Sequence, residues 1–398
     1  MRLRRRHVLA LPALIGSARA QDNVPSVRIG VLWDRTGIGA VTSGLDQLVA
    51  ARLAVDDFGA MSRGYPVEVL DAEFIRRPDE AVSIARRWFE RDGVAGIVDV
   101  PGMAAAAQVQ TYARSVDRTV MNTGSLNAAL TEAACSPTAT HWMEDTKALT
   151  LAMTVGMAVD GAKSWFLVVP DEVLSLALEA GAAAAIERTG GRLLGSARHP
   201  ADGSAFAQAL DSARASGADA IGLCSYGALL EAQLREARSG GLFENGRAVC
   251  AYAASIRDIH SAGAPATSDL RIVSGFYWDL NDSTRSFSDR FNRLTGRMPD
   301  KPHAATYAAI EHFLRTVEAT DTIDGTALNI GMRREPAYFF GAGGVLRFDG
   351  KLLTELNLYR VKQPDSMTDA WDLYRPIRTI SARSVFPPPV PGACPLPP

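Results

Sequence analysis

The sequence predicts an α/β protein built as two doubly wound lobes with a hinge between them. Three observations carry this expectation. The chain has 398 residues, more than one hydrophobic core usually supports. From Val27 onward short apolar runs alternate with amphipathic helical stretches, the pattern of a parallel sheet covered by helices. That alternation begins afresh after residue 142, as a repeat of architecture and not of residues.

"VRIGVLW" (27–33) reads as the first strand, followed by the loop "DRTGIGAVT". The next helix has Ser43 as a candidate cap, Asp46 in its first turn and Gly59 just past its end. Leu48, Ala51, Val55 and Phe58 recur at helical spacing and give it one buried stripe. "VEVLD" (67–71), "VAGIVDV" (94–100) and "TVMN" (119–122) are further strands, separated by helices over 78–91 and 104–115. The first of these helices opens on Pro78, with Asp79 and Glu80 favourably placed at its positive end.

In the second half, "SWFLVVP" (164–170), "DAIGLCS" (219–225) and "RAVCAY" (247–252) are strands among helices over 173–189, 204–216 and 228–239. "LRIVSGFYWDL" (270–280) then leads to helices over 284–295 and 303–319, followed by "GVLRFDG" (344–350) and "TELNLYRVKQP" (354–364). Crossings near 142, 276 and 348 divide the chain. Lobe 1 is 24–142 plus 277–348, lobe 2 is 143–276 plus 349–380, and 381–398 is a proline-rich tail.

Residues 1–20 read as a signal peptide. Arg2, Arg4, Arg5 and Arg6 precede an apolar run from Val8 to Ile15, and Ala18-Arg19-Ala20 is an A-x-A cleavage site. The run is too short to span a bilayer, and no cysteine follows the cleavage site. The expected mature protein is therefore periplasmic, without a stable membrane anchor, and a monomer. Lys+Arg 42 against Asp+Glu 44 leaves a net charge of -2, which argues against nucleic acid as a partner. Cys224 and Cys250 lie in strand-like runs and read as buried thiols. Cys135 and Cys394 lie in proline-containing loops, where a disulfide and two free thiols are both open readings.

The sequence offers no catalytic constellation, metal site or cofactor motif. Its six histidines are scattered, with no HExxH, and there is no P-loop, no G-x-S-x-G elbow and no G-x-G-x-x-G after the first strand. A binding function is what remains. In open α/β sheets ligands gather at the carboxyl ends of strands, beside helix N-termini. Here those are the loops 33–37, 100–104, 123–126, 170–174, 225–228 and 252–255. Trp33, Asp34 and Thr36 stand on the first. Gly102 and Met103 begin a helix suited to a carboxylate, while Gly124 and Ser125 form a candidate second cradle.

The order of elements, with "CSPTATHW" (135–142), "VSGFYWDLND" (273–282) and "GVLRFDG", resembles the type I periplasmic binding proteins of branched-chain-amino-acid-type ABC transporters over about residues 27–380. The resemblance implies a clamshell of two Rossmann-like lobes that closes on a small molecule and delivers it to an ABC permease and ATPase complex. A sensor reporting ligand to a receptor or regulator is the alternative. It also implies that Tyr226 is the cleft tyrosine. Where amino-acid-binding relatives carry a hydroxyl residue, a threonine and an acid, this chain has Met103, Leu126 and Tyr252-Ala253, and Glu172 replaces a tyrosine. Asp171 or Glu172 is then a candidate for a ligand's ammonium. Trp33, Tyr226, Tyr252, Phe276, Tyr277 and Trp278 suggest a flat apolar ligand with a carboxylate, either an aromatic acid or an amino acid.

Overall fold

Val27–Trp33 is apolar at nearly every position and forms β1, buried on both faces as a central parallel strand must be. A computed structural model describes residues 26–34, 44–59, 63–64, 66–75, 77–244, 246–389, 391–392 and 394. Around β1 lie β2 (Val67–Glu73), β3 (Val94–Asp99), β4 (Thr119–Asn122) and β5 (Ala139–His141), in the order β2-β1-β3-β4-β5, all parallel. One face is covered by α1 (Asp46–Phe58), the other by α2 (Pro78–Glu90) and α3 (Met103–Ser115).

After His141 the chain leaves this sheet through α4 (Thr146–Val159) and builds a second one. β6 (Ser164–Pro170), α5 (Val173–Arg188), β7 (Arg192–His199), α6 (Phe206–Ala215), β8 (Ala220–Leu223), α7 (Gly227–Ser239), β9 (Ala248–Ala251), α8 (Ile256–Ala262) and β10 (Arg271–Ser274) follow in turn. The chain then returns to the first lobe with α9 (Asp282–Thr295), α10 (Lys301–Thr320) and α11 (Gly325–Arg334), which share the core over α1. A small antiparallel sheet of β11 (Ala337–Phe339), β12 (Ala342–Leu346) and β13 (Leu352–Leu353) precedes the last passage. β14 (Leu356–Val361) and β15 (Tyr374–Ile380) join the second sheet antiparallel, in the order β15-β14-β10-β9-β8-β6-β7.

Several elements differ from the sequence reading. The run 270–280 is strand only over Arg271–Ser274, because Gly275 is where the chain crosses between lobes. A Cβ there would stand 2.5 Å from Glu144 Oε1 and 3.0 Å from Lys301 Nζ, so a larger residue would have to push this ion pair aside. The proposed cap Ser43 lies outside the described residues. α1 begins at Asp46 itself, whose carboxylate is bound by Arg297 of the same lobe and by Arg257 of the other at 2.7 Å. α4 escaped detection because it is buried on nearly all sides and so shows no polar stripe. β7 is an edge strand that is mostly exposed, with little apolar alternation.

Past β15 a short helical turn, α12 (Ala382–Val385), packs on α4, and the tail then runs to the first lobe. Pro387 O accepts a hydrogen bond from Arg347 Nη1 at 2.8 Å, and Cys394 is disulfide-bonded to Cys135 with Cα atoms 5.6 Å apart. Cys224 and Cys250 are buried free thiols, and burial pushes the Cys250 thiol up to about 12. The Cys135–Cys394 bridge closes a loop of 259 residues, for which the chain-entropy model gives an upper bound of roughly 5 kcal/mol. Cys394→Ser is expected to cost about 2–4 kcal/mol and to lower Tm by about 3–5 °C in calorimetry. A Tm equal to the parent's, with the parent unresponsive to reductant, would show that the bridge adds nothing.

Candidate functional site

A cleft of about 380 Å³ opens between the carboxyl ends of the two parallel sheets, and each of the six loops named from sequence contributes to it. The first lobe supplies Asp34, Pro101 to Ala105, Gly124 and Leu126. The second supplies Glu172 to Leu174, Tyr226 and Tyr252 to Ser255. Most of the remaining lining is apolar, including Phe74, Met143, Leu149 and Val273.

The approach to α3 is held in a strained conformation. Asp99 and Val100 have φ of 78° and 59°, and a β-branched residue there is a genuine outlier. Gly102 follows at φ 90°, so the turn brings the start of α3 to the cleft wall. No side chain caps that helix, whose first intrahelical donor is Ala106 N–H to Gly102 O. The backbone N–H groups of Met103 to Ala105, with the positive end of the helix dipole behind them, therefore face the cleft without intrahelical acceptors.

The second proposed cradle is turned inward. Gly124 lines the cleft, but its N–H is donated to Asp99 O at 3.1 Å. Ser125 is buried and does not line the cleft. Its Oγ accepts from Asn127 N–H, and its carbonyl accepts from His141 Nε2 at 2.7 Å. The loop closes on itself because its donors find backbone acceptors within the lobe.

In the second lobe Glu172 and Tyr226 stand at the N-cap positions of α5 and α7. Tyr226 Oη donates to Glu172 Oε2, and Ser175 Oγ shares its proton between Glu172 Oε1 at 3.0 Å and Cys224 O at 2.8 Å. Asp171 is not part of the lining; its N–H is donated to His199 O at 2.8 Å, at the end of the edge strand β7. Tyr252 reaches the cleft but is buried in the second-lobe core, against Gly222, where a Cβ would lie 2.7 Å from its Cε2.

The remaining aromatic candidates are structural. Trp33 donates Nε1–H to Asp71 Oδ2 at 3.1 Å, and Trp278 donates Nε1–H to Trp371 O at 2.8 Å. Phe276 packs edge-on against Phe287 and Phe340 in the first-lobe core, and Tyr277 is buried beside Tyr359 and Tyr374. A strand end places alternate side chains on opposite faces, and residue type alone does not say which face meets the cleft. Asp34 is buried at the cleft, and Thr36 lies outside the described residues.

Sequence reasoning missed the charged floor. Lys301 and Glu144 pair at 3.0 Å, both nearly inaccessible, and Glu144 Oε1 also accepts Gly275 N–H at 3.1 Å. The Lys301 ammonium sits 4.0 Å from the Phe339 ring centroid. Asp300 caps α10 and accepts Ile256 N–H from the other lobe at 3.2 Å; burial pushes its carboxyl up. Asp300 followed by Pro302 was a readable helix start, although nothing local said that this start faces the cleft. Among the described residues no group of His, Cys, Asp and Glu could hold a metal ion, and no helix is long and apolar enough to cross a membrane.

A family model described as periplasmic binding protein matches residues 26–366. The chain belongs to that family. Periplasmic binding proteins of known structure share its fold throughout. One from Burkholderia mallei is 29% identical with a TM-score of 0.85, covering 93% of this chain and 99% of its own. A branched chain amino acid ABC transporter periplasmic ligand-binding protein from Burkholderia xenovorans LB400 is 28% identical, with a TM-score of 0.86 and coverage of 91% and 97%. A solute binding protein from Rhodopseudomonas palustris BisB5, in complex with 3,4-dihydroxy benzoic acid, is alike in fold at 16% identity, TM-score 0.79 and coverage of 90% and 98%. A search of curated proteins returns no match.

The interlobe passages of this periplasmic binding protein are stitched by buried charges. Lys351 Nζ donates to Asp145 Oδ2 at 2.7 Å and Met143 O at 2.8 Å, and lies 3.3 Å from His141 Nδ1. With Nε2–H donated to Ser125 O, His141 is neutral and its Nδ1 accepts from the ammonium. Burial, and next the Lys351 charge, push the imidazole down to about 3. The unfolded chain therefore takes up a proton near pH 6.5 that the native one refuses, so this residue removes stability as pH falls from about 6.5 towards 3, by up to about 1.4 kcal/mol per unit. Asp258, pushed up to about 7 by burial, has the opposite slope. The informative measurement is a difference: His141→Gln keeps a donor for Ser125 O, and urea unfolding at pH 7 and pH 4.5 should show the parent losing about 2 kcal/mol more than this variant. Equal losses would mean that the ring is already charged in the native state.

Proposed function

We propose that this protein is the extracytoplasmic solute-binding component of an ABC uptake system. It holds a small carboxylate-bearing organic molecule, an aromatic acid or an amino acid, between its lobes and delivers it unchanged to a permease and ATPase complex. The observation that carries this reading is the uncapped start of α3, whose backbone N–H groups open onto an otherwise largely apolar cleft. A carboxylate at Met103 to Ala105 would leave the ligand's body against Phe74, Leu126, Leu149 and Leu174, where transfer from water stabilises it.

Two relatives support the chemistry. One is a branched chain amino acid ligand-binding protein and the other holds a dihydroxybenzoic acid, and both kinds of molecule carry a carboxylate. Closure follows from contacts made by both lobes at once. A ligand that converts a 1:99 closed population into 99:1 must favour the closed form by about 5.5 kcal/mol. The basic and apolar run over residues 1–20 would direct the chain to the periplasm.

A thermal-shift screen with benzoate, 3,4-dihydroxybenzoate, leucine and phenylalanine tests the reading. A true ligand at about 100 times its Kd should add about 2.7 kcal/mol of stability. Met103→Asp would set a fixed carboxylate among the same N–H groups without harming the helix start, and should weaken binding at least about tenfold by titration calorimetry. Unchanged affinity in that variant would remove α3 from the site, and a screen in which no carboxylate stabilises the parent would overturn the reading.

A further inference from the structure

We infer that the second lobe carries a separate site for a phosphate-type oxyanion, at the pole opposite the cleft. A polar cavity of about 450 Å³ lies there, between the end of α4, the turns leading into β8 and β9, and the start of β10. It sits at the amino ends of strands whose carboxyl ends form the cleft, so it stands whatever the cleft holds.

The hydrogen-bonding capacity left over in this cavity is that of donors. Its two arginines come from different segments, Arg247 from the turn before β9 and Arg271 from the first position of β10. Each guanidinium has five N–H donors. Arg247 gives Nη2 to Arg214 O at 3.2 Å, and its Nε is buried with no partner among the described residues. Arg271 gives Nη1 to Asp269 O at 2.5 Å, and among the described residues neither arginine is ion-paired. The acceptors nearby are already engaged. Asp160 takes Arg378 at 2.9 Å, while Asp219 Oδ2 takes Lys163 N–H at 3.0 Å and both the N–H and the hydroxyl of Ser164 at 2.8 Å. The helices that end at this pole close on their own backbone, Asp160 N–H to Met157 O for α4, Ser216 N–H to Ser212 O for α6 and Gly240 N–H to Glu236 O for α7.

Sheet register adds positive charge. Arg271 lies directly opposite Arg360 of β14, and Arg360 opposite Arg375 of β15. Like charges so placed oppose one another, and the carboxylate beside them, Asp269, is taken by Arg360 and by Gln363 at 2.7 Å. An anion in the cavity supplies the negative charge that Arg271 lacks and an acceptor for the buried Nε of Arg247. A planar carboxylate is matched by one guanidinium fork. Two forks arriving from separate segments match an anion with at least three acceptor oxygens, which is the chemistry of inorganic phosphate or a phosphate monoester.

Two measurements on the parent, Arg247→Gln and Arg271→Gln test this: titration calorimetry with inorganic phosphate and with glycerol 3-phosphate, and co-sedimentation with phosphatidylcholine vesicles with and without phosphatidic acid. At least one phosphate probe should bind the parent, and each variant, checked for an unchanged fold by thermal unfolding, should weaken it at least about tenfold, the loss a charge-assisted hydrogen bond carries. Arg247→Lys and Arg271→Lys keep the charge without the fork; they stand in wherever a Gln variant unfolds and should also weaken binding. Binding of the free phosphates supports a soluble ligand, and binding confined to vesicles with phosphatidic acid supports a lipid headgroup at the same arginines. Phosphate binding that survives both substitutions unchanged would put the anion elsewhere and overturn the site, as would failure of every probe to bind the parent.

Discussion

Two consecutive carboxylates, Glu144 and Asp145, hold the passages between the lobes together. Each takes one buried lysine. Glu144 joins Lys301 and the Gly275 amide, which links the first passage to the second, while Asp145 joins Lys351, which links the first to the third. Buried ion pairs contribute little net stability, because desolvation offsets their attraction, but removing one partner strands a charge and is costly. Their value here is geometric. Three segments far apart in sequence are fixed side by side, and the neutral His141, closed off by Ser125 O, keeps a second positive charge away from Lys351.

On that frame the cleft is assembled from strand ends, and its polarity follows from how each helix begins. α3 starts after a glycine turn with no capping side chain and so presents bare donors. α5 starts at Glu172, whose side chain reverses the sign of that helix end. Local choices at two helix starts therefore bring backbone donors to the cleft at one point and a carboxylate at another. The strain at Asp99 and Val100 belongs to the same design, since it brings the start of α3 to the cleft while Asp99 O absorbs the Thr123 and Gly124 donors.

Much of this was legible in the sequence. Alternating apolar runs and helices located most of the strands, and strand-end logic named all six cleft loops, because both depend on local pattern and a general rule of open sheets. Side-chain direction was not legible. Trp33, Phe276 and Trp278 looked like contacts and are packing residues, and Ser125 looked like a donor to a ligand and serves its own lobe. Glu144, Lys301 and Lys351 carried no local signal, since each acquires its role from a partner far away in the chain. The fully buried α4 and the exposed edge strand β7 failed for opposite reasons, one lacking a polar face and the other an apolar one.

The tail adds a mechanical consequence. Without it, only the three neighbouring passages would join the lobes. The tail leaves the second lobe beside α4, touches Arg347 and ends covalently on Cys135 of the first, and so becomes a fourth tether. A fourth connection removes freedom from the relative movement of the two lobes, and the disulfide makes that restraint covalent.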